Sequence, residues 1–403
     1  MTDFVAAPAS NGFDVPGFVT WTTTAGLKNS GSEDMALVLN IGPHDAAAGV
    51  FTRNKVKAAP VLWTQQVLKS GALRAVLLNA GNANACTGPD GFADTHRSAE
   101  RVAQSYREYN GEPEIAPIQV AVCSTGLIGE RLPIAKVLNA TDRLAMELSM
   151  APVADWKAVA RAIMTTDTVP KLAFGEHPAG WKIGGVGKGA AMLAPSLATM
   201  LVVVTTDAVA TPAQLDQALR RATALTFDRL DVDGVSSTND TVLLLSSGAS
   251  GVEASQDELD AAVFAVCESL AAQMQADAEG VTKRVVIRVA GAASEDEAVA
   301  AARVVARDSL VKTALFGSDP NWGRVLAAVG CAPVELDPDK ISVQFNGHQV
   351  CANGAAVPGA RDVDLSGPDI AVEIDLGVGE GSGWIRTTDL STEYVRLNSA
   401  YST

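Results

Sequence analysis

The chain of 403 residues has little histidine and little cysteine, and this excludes several common kinds of site. Its four histidines (His44, His96, His177 and His348) are isolated and lie mostly among turn residues, which predicts surface side chains rather than a Ser-His-Asp triad. The five cysteines are odd in number, widely spaced and without a C-x-x-C pair. We therefore expect no disulfide framework, no metal site and no cofactor.

Positive charge and long apolar runs are also scarce. Lys and Arg total 31 against 46 Asp and Glu, and the resulting net charge of −15 would repel a phosphate backbone. The longest nearly apolar stretch, 190–204, is interrupted by Pro195, Ser196 and Thr199 and is too short for a membrane span. No basic and then apolar signal segment opens the chain. These features predict a cytoplasmic protein that binds neither nucleic acid nor membrane.

Strand and helix patterns mix along the chain, which is typical of an α/β protein. Short apolar runs at 75–79 and 118–123 predict strands, and helices are expected near 94–109 and 135–149. Later, Thr211-Pro212 marks one helix start, and the capping box Ser255-x-x-Glu258 opens a helix that we expect to end near 279–280.

A new unit is expected after residue 280. Alternation over 283–290 predicts a strand, and Ser294-x-x-Glu297 predicts the start of a helix that runs to about Leu315. Asn346-Gly347 indicates a hairpin turn. Further strands are expected near 369–375 and 383–388.

The glycine-rich segment at 185–190 fits the loose G-x-G-x-x-[GA] dinucleotide fingerprint. That fingerprint requires a helix to begin there, and Pro195 would break such a helix, so the fit carries little weight. The G-x-S-x-G and H-E-x-x-H motifs are absent.

Thr199 follows a loop of small residues broken by proline and precedes the apolar run 200–204. If the chain cuts itself between Ala198 and Thr199, the freed α-amine, with a pKa near ~7.7 to 8.0, can serve as the base for the hydroxyl of the same residue. The alternative is a threonine that simply begins a buried strand.

Several polar segments could line a site or could be ordinary turns. Residues 123–129 follow an apolar run, so their backbone N–H groups and hydroxyls could face an anion. The segments 79–88, 236–240 and 317–324 are similarly rich in Asn, Gly, Ser or Asp.

Taken together with 49–60, 188–207 and 277–280, these segments resemble the ornithine acetyltransferase family, also called glutamate N-acetyltransferase, of arginine biosynthesis. The resemblance runs from near residue 20 to the C-terminus. It implies two sheets between helical layers, as in the self-processing aminopeptidases, with a smaller C-terminal α/β domain. It also implies self-cleavage into an α chain (1–198) and a β chain, of which 199–280 completes the catalytic domain and 281–403 forms the C-terminal domain, in an α2β2 assembly.

The resemblance also implies the site residues. Thr125 and Gly126 would form the oxyanion hole. The substrate pocket would be lined by Thr165, Lys188, Thr199 and Glu279, and closed by Asn398 and Thr403. The chain departs from the family at Lys188-Gly-Ala-Ala-Met192, where the family often reads Lys-Gly-Ser-Gly-Met, and at Asn398-Ser-Ala-Tyr401, where it often reads Asn-Ala-Asp-Tyr.

The implied reaction moves an acetyl group from N2-acetyl-L-ornithine to L-glutamate through an acetyl ester on Thr199. Lys188 would pair with a substrate carboxylate and Glu279 with the ornithine ammonium. The sequence leaves open whether acetyl-CoA is also a donor. Two alternatives are an N-terminal-threonine aminopeptidase or amidase, and an acidic α/β binding protein that never cleaves.

Overall fold

The computed structural model describes residues 4–110, 114–150, 153–193 and 200–400. Thr199, its neighbour Ala198 and the C-terminal Thr403 lie outside these ranges. The strands of the described residues are β1 (Ala7–Pro8), β2 (Phe18–Thr23), β3 (Met35–Asn40), β4 (Ala47–Phe51), β5 (Ala75–Asn82), β6 (Val120–Leu127), β7 (Lys171–Glu176), β8 (Lys182–Lys188), β9 (Leu201–Thr206), β10 (Thr241–Ser246), β11 (Arg284–Ala292), β12 (Ser342–Phe345), β13 (His348–Ala352), β14 (Ala355–Ala356), β15 (Asp369–Asp375) and β16 (Gly381–Thr388).

The helices, over the same ranges, are α1 (Ala59–Val67), α2 (Gly88–Asn110), α3 (Ile134–Met150), α4 (Trp156–Ala162), α5 (Pro212–Leu225), α6 (Gln256–Ala276), α7 (Glu295–Arg307), α8 (Ser309–Phe316), α9 (Trp322–Val329) and α10 (Thr392–Ala400). No described helix combines the length and apolar character that a membrane span requires.

Two sheets pack face to face in the larger part of the molecule. One has the order β2-β3-β5-β6 and the other β1-β7-β8-β9-β10-β4. Strand β9 contributes side chains to two hydrophobic cores, because successive side chains of a strand point to opposite faces. Leu201 and Val203 join the core between the sheets, whereas Val202 and Val204 join a second core under α5 and α6.

Helices cover the outer faces of this sheet pair. Helices α1, α2 and α3 pack on the four-stranded sheet, and α5 and α6 pack on the six-stranded sheet. The expected α/β fold, with sheets sandwiched between helical layers, is therefore confirmed.

The third sheet, with the order β14-β13-β12-β15-β11-β16, is built wholly from residues after 280. Helix α7 packs on β11 and on the edge strand β16, and a separate hydrophobic core lies between the helix and the sheet. The Asn346-Gly347 turn joins β12 to β13 with both residues at positive φ (48° and 78°), which confirms the predicted hairpin. The side-chain amide of Gln275 ties α6 to this sheet by donating to the carbonyls of Val285 and Thr387.

Two helix predictions were wrong in their ends. The helix expected to run from Ser294 to Leu315 is interrupted at Asp308, whose extended backbone ends α7 and whose carboxylate accepts the N–H of Val311 to begin α8. The helix that begins after Ser255 ends at Ala276, three residues early, so 277–280 form a turn.

Candidate active site

A cavity of about 570 Å³ opens where the carboxyl ends of β5, β6 and β8 meet. Its lining comes from separate parts of the chain, before and after residues 194–199, which lie outside the described ranges. The structure brings together six of the predicted site residues here: Thr125, Gly126, Thr165, Lys188, Glu279 and Asn398.

The end of β6 supplies hydrogen-bond donors to this cavity. The Thr125 hydroxyl is buried and has no hydrogen-bond partner among the described residues, so it is free to bind a ligand oxygen. Gly126 has φ +129°, and a Cβ there would lie 2.3 Å from the carbonyl carbon of Gly81 in β5. Only glycine fits this close approach of two backbones. Burial raises the pKa of the neighbouring Cys123 thiol to about 12, which excludes it as a thiolate nucleophile near neutral pH.

Asparagine side chains hold this region together. The Ser124 hydroxyl donates to Asn79 Oδ1 (2.5 Å) in the parallel strand β5. The amide of Asn239 donates to the carbonyls of Ala83 (2.6 Å) and Ser124 (2.9 Å). Three polar segments that were ambiguous in the sequence, 79–88, 123–129 and 236–240, therefore meet behind the cavity.

Lys188 is the last residue of β8, and its side chain is almost wholly buried. Its Nζ lies 3.8 Å from Oδ2 of the buried Asp167. Asp167 also accepts hydrogen bonds from the backbone N–H of Gly189 (2.7 Å) and of Thr165 (3.2 Å). One carboxylate thus ties together the two segments that carry the predicted residues Thr165 and Lys188.

A second buried ammonium extends this network. Lys171 Nζ lies 2.7 Å from Asp167 and 2.6 Å from Asp277, and its side chain has no exposed surface. Burial alone would raise the pKa of Asp167, but Lys188 and Lys171 hold it at about 2. Burial lowers the pKa of Lys188, and the charge of Asp167 opposes this effect.

Glu279 lies in the turn after α6 and faces the C-terminal helix. Asn398 Nδ2 in α10 donates to Glu279 Oε2 at 2.8 Å, and the Glu279 N–H donates to the carbonyl of Ala190 at 2.9 Å. Gly280 has φ +66°, and a Cβ there would lie 2.3 Å from the backbone nitrogen of Tyr394. The close approach of this turn to α10 therefore requires glycine.

Residues 19–403 match the ArgJ family. The chain is 63% identical over 398 residues to the arginine biosynthesis bifunctional protein ArgJ of Mycobacterium bovis, covering 99% of this chain and 96% of the relative. It is 51% identical over 386 residues to the protein of the same name from Streptomyces coelicolor, covering 96% and 98%.

The chain belongs to the ArgJ family. A solved structure, ornithine acetyltransferase complexed with ornithine from Mycobacterium tuberculosis, is 52% identical over 47% of this chain and 98% of that chain, with a TM-score of 0.44.

Two carboxylates of this ArgJ-family chain were missed at the sequence level. Asp233 lines the cavity from the loop between α5 and β10, and its Oδ2 accepts the N–H of Met192 at 2.6 Å. Asp240 is fully buried and accepts the N–H of Met200, the residue bonded to Thr199, at 3.1 Å. Burial raises the pKa of Asp240 well above its ordinary value. The polar segment 236–240, which was noted in the sequence, contains Asp240 but not Asp233.

The described residues hold no group of three or more His, Cys, Asp or Glu side chains close enough to bind a metal ion. The polar side chains that line this cavity carry hydroxyl, amide, ammonium and carboxylate groups. Such a set can bind an amino acid by its charges and stabilise an oxyanion.

Proposed function

We propose that this chain is a glutamate N-acetyltransferase of arginine biosynthesis, which moves the acetyl group from N2-acetyl-L-ornithine to L-glutamate. Membership of the ArgJ family supports the pathway, because its relatives carry the name arginine biosynthesis bifunctional protein. The observation that carries the proposal is the cavity itself. It combines the Lys188 ammonium, the Glu279 carboxylate and the Thr125 hydroxyl, which has no hydrogen-bond partner among the described residues. These groups match the carboxylate, ammonium and acetyl oxygen of acetylornithine.

The nucleophile in this proposal is Thr199, freed by self-cleavage after Ala198. Residue 199 is bonded to Met200, and Leu201 pairs with Lys188 across β8 and β9. Consecutive Cα atoms are about 3.8 Å apart, so Met200, the described neighbour of Thr199, lies next to a residue that pairs with Lys188 of the cavity lining. This proximity supports Thr199 as the group that attacks the substrate.

The chemistry is acyl transfer in two halves. The Thr199 amine takes the proton of its hydroxyl, the oxygen bonds to the acetyl carbon, and the carbon–nitrogen bond of acetylornithine breaks as the proton passes to the leaving amine. An acetyl ester on Thr199 remains. The amine of glutamate then attacks this ester and restores the free hydroxyl.

Each half passes through an oxyanion. In our proposal the Thr125 hydroxyl and the backbone N–H of Gly126 bind it, and one such donor is typically worth ~10² to 10³ in rate. Lys188 binds the α-carboxylate that donor and acceptor share. Thr165, Asn398 and Thr403 complete the pocket, and Glu279 meets the ornithine ammonium.

The two fragments would stay associated after cleavage, because they share one sheet. Strands β7 and β8 precede residue 199 and β9 and β10 follow it, yet all four are neighbours in the six-stranded sheet. Six residue pairs join β8 to β9 in register from Ile183↔Thr206 to Lys188↔Leu201. We therefore propose an α chain of 1–198 and a β chain of 199–403, assembled as α2β2, with a domain boundary near residue 280.

The test begins with the purified protein. Denaturing electrophoresis and intact mass should show fragments 1–198 and 199–403 that elute together under native conditions. Mixing with acetylornithine alone should add one acetyl group to the fragment that begins at Thr199, and steady-state rates should give the parallel double-reciprocal lines of a ping-pong mechanism. Thr199→Ala should lose cleavage and activity, whereas Thr199→Ser should retain part of each.

A single full-length band in fully active protein would refute the N-terminal nucleophile. Release of acetate without glutamate-dependent transfer would instead indicate an amidase or aminopeptidase. Because the relatives are named bifunctional, the assay includes acetyl-CoA as a second acetyl donor to glutamate.

A further inference from the structure

Asp233 is a second acidic side chain in the cavity, and the proposed reaction has not used it. Its Oδ2 accepts the N–H of Met192, a residue held at φ +52°. Its Oδ1 is shielded from solvent and has no hydrogen-bond partner among the described residues. A buried carboxylate oxygen without a partner is costly, so a donor supplied by a bound ligand would stabilise it.

The charged groups around Asp233 do not neutralise it by direct contact. Asp231 on the same loop is paired with Arg307 at 2.8 Å. Lys312 of α8 donates to the hydroxyl of Thr387 at 3.0 Å. No ion pair of Asp233 occurs in the described part of the chain.

The remaining neighbours are acidic. Glu279, beyond α6, and Asp231 both act electrostatically to raise the pKa of Asp233. Tyr394 of α10 lies close enough that Asp233 and Glu279 add to the effect of burial and raise the pKa of its phenol to about 12. The surroundings of Asp233 therefore favour either a cationic ligand group or a proton.

The two substrates of the proposed reaction pose a specific problem at this place. Acetylornithine and glutamate each react at their own α-nitrogen, which must lie at the same place beside Thr199. Their side chains must therefore occupy the same part of the cavity in turn. One side chain ends in an ammonium and the other in a carboxylate. Glu279 is proposed to meet the ammonium, and a second negative charge that stayed fixed beside it would favour the first side chain and repel the second.

We propose that Asp233 recognises the side-chain end of both substrates, as a carboxylate that accepts from the ornithine ammonium and as a carboxylic acid that donates to the γ-carboxylate of glutamate. The inference rests on the proposed function, since it needs both substrates in one cavity. It assigns to Asp233 a role in specificity that is separate from the acyl transfer at Thr199.

Little free energy is needed near neutral pH to convert Asp233 from the carboxylate to the carboxylic acid, so both forms can take part in substrate recognition. Burial raises the pKa of Asp233 to about 6, helped by Asp231 and Glu279 and opposed by the Met192 N–H and Lys312. At pH 7 protonation of such a group is disfavoured only about tenfold, whereas an ordinary aspartate with a pKa near ~3.9 would be disfavoured about a thousandfold.

The experiment compares two acetyl donors, N2-acetylornithine and N-acetylglutamate, the latter being the product that donates in the reverse direction. Neither has a free α-amine, and their side-chain groups keep their charges between about pH 5.5 and 8. Titration of the Thr199 amine affects both donors equally and cancels in the ratio of their kcat/KM values. The measured quantity is the preference for acetylornithine over acetylglutamate as a function of pH.

In the wild-type enzyme this preference should rise about tenfold as the pH rises through about 6, because the carboxylate form binds the cation and the acid form binds the anion. In Asp233→Asn the preference should be independent of pH and at pH 7.5 about tenfold lower than in wild type. The asparagine amide keeps an oxygen for Met192 and presents a neutral donor to the ligand.

Asp207→Asn is the matched control. Asp207 also accepts a backbone N–H, from Lys182 at 2.6 Å, and burial also raises its pKa, but it follows the far end of β9 and does not line the cavity. This variant should keep the wild-type pH dependence.

The outcomes separate the two proposals. A wild-type enzyme that transfers acetyl groups with a preference independent of pH would overturn the role of Asp233, and this result needs no variant that must fold. The same pH dependence in Asp233→Asn as in wild type would also overturn it. A wild-type enzyme that accepts neither donor would overturn the proposed function and this inference with it.

Discussion

Asp167→Asn removes one charge from the buried network behind the cavity while keeping the shape of the side chain. The carboxylate of Asp167 faces donors on both oxygens: Lys171 and the Gly189 N–H on Oδ1, and the Thr165 N–H and Lys188 on Oδ2. An asparagine amide has one oxygen and one NH₂ group. Whichever way it turns, its NH₂ must face a hydrogen-bond donor.

The expected loss of stability follows from the negative charge that Asp167→Asn removes. The pKa of Asp167 is about 2 against an ordinary value of 3.8, despite burial, and such a shift corresponds to about 2 kcal/mol of stability at neutral pH. The mismatched amide adds the cost of a buried donor without an acceptor, about 1 to 3 kcal/mol. We expect Asp167→Asn to lower the free energy of unfolding at pH 7 by about 3 to 5 kcal/mol.

The sign of the pH dependence is fixed by the direction of the shift. A carboxylate with a lowered folded-state pKa stabilises the protein above the unfolded-state pKa, and this contribution is lost as the pH falls through the folded-state value. The difference between wild type and Asp167→Asn should therefore be constant above about pH 5 and shrink between about pH 4 and 2. Urea unfolding over this range measures it.

Asp216→Asn provides the comparison for stability. Asp216 forms an exposed ion pair with Arg220 on one helix, and such pairs are worth about 0.5 kcal/mol or less. If Asp167→Asn costs no more than Asp216→Asn, the buried network does not stabilise the fold as we argue. Asp167→Asn should also raise the KM for both substrates increasingly above neutral pH, because Lys188 loses the charge that keeps it protonated.

Three further substitutions test separate parts of the structure. Glu279→Gln should reduce kcat/KM for acetylornithine about tenfold more than for glutamate, because only the donor has a side-chain ammonium, and equal losses would assign Glu279 a purely structural role. Gly126→Ala should lower kcat by about 10² or more because its Cβ would meet the Gly81 backbone, whereas Gly129→Ala, also at positive φ but with open space around it, should keep most of the activity. Asp308→Ala should lower the unfolding free energy of the C-terminal sheet region by about 1 kcal/mol through loss of the α8 cap, measured by chemical denaturation, and an unchanged value would contradict the cap assignment.

Local patterns predicted the helices α2, α3, α5 and α6 and the strands β5, β6, β11, β15 and β16, because alternation, capping residues and turn residues act over a few positions. The strands β2, β3, β4, β7 and β8 were not predicted. The break at Asp308 was missed since small and apolar residues continue at helical spacing on both sides of it, and only the cap geometry shows that a second helix begins. The order of strands in the sheets was not predictable from such patterns. Strand β4, for example, pairs with β10, about two hundred residues later in the chain.

The residues of the candidate active site were harder to predict for a different reason. The segments around Thr125, Lys188 and Glu279 were assigned to a site only through the family resemblance. Without it they fitted better a strand-to-loop turn, a solvated loop lysine and a carboxylate at a helix end. The ion pair between Lys171 and Asp277 was not predicted, because it joins residues 106 positions apart. A buried ion pair of this kind leaves no local pattern, as each charge looks like a solvated residue beside an apolar run.

The cavity is lined by residues from both sides of the proposed cleavage site. Thr125, Thr165 and Lys188 come from before residue 199, whereas Asp233 and Glu279 come from after it. The strands that position these residues also come from both sides, and β8 and β9 pair directly on either side of the undescribed residues. Neither fragment alone could form the cavity or the sheet. Cleavage before folding would therefore separate the groups that bind substrate, and cleavage after folding would release only the amine of Thr199, so the proposed self-cleavage requires that the chain first folds whole.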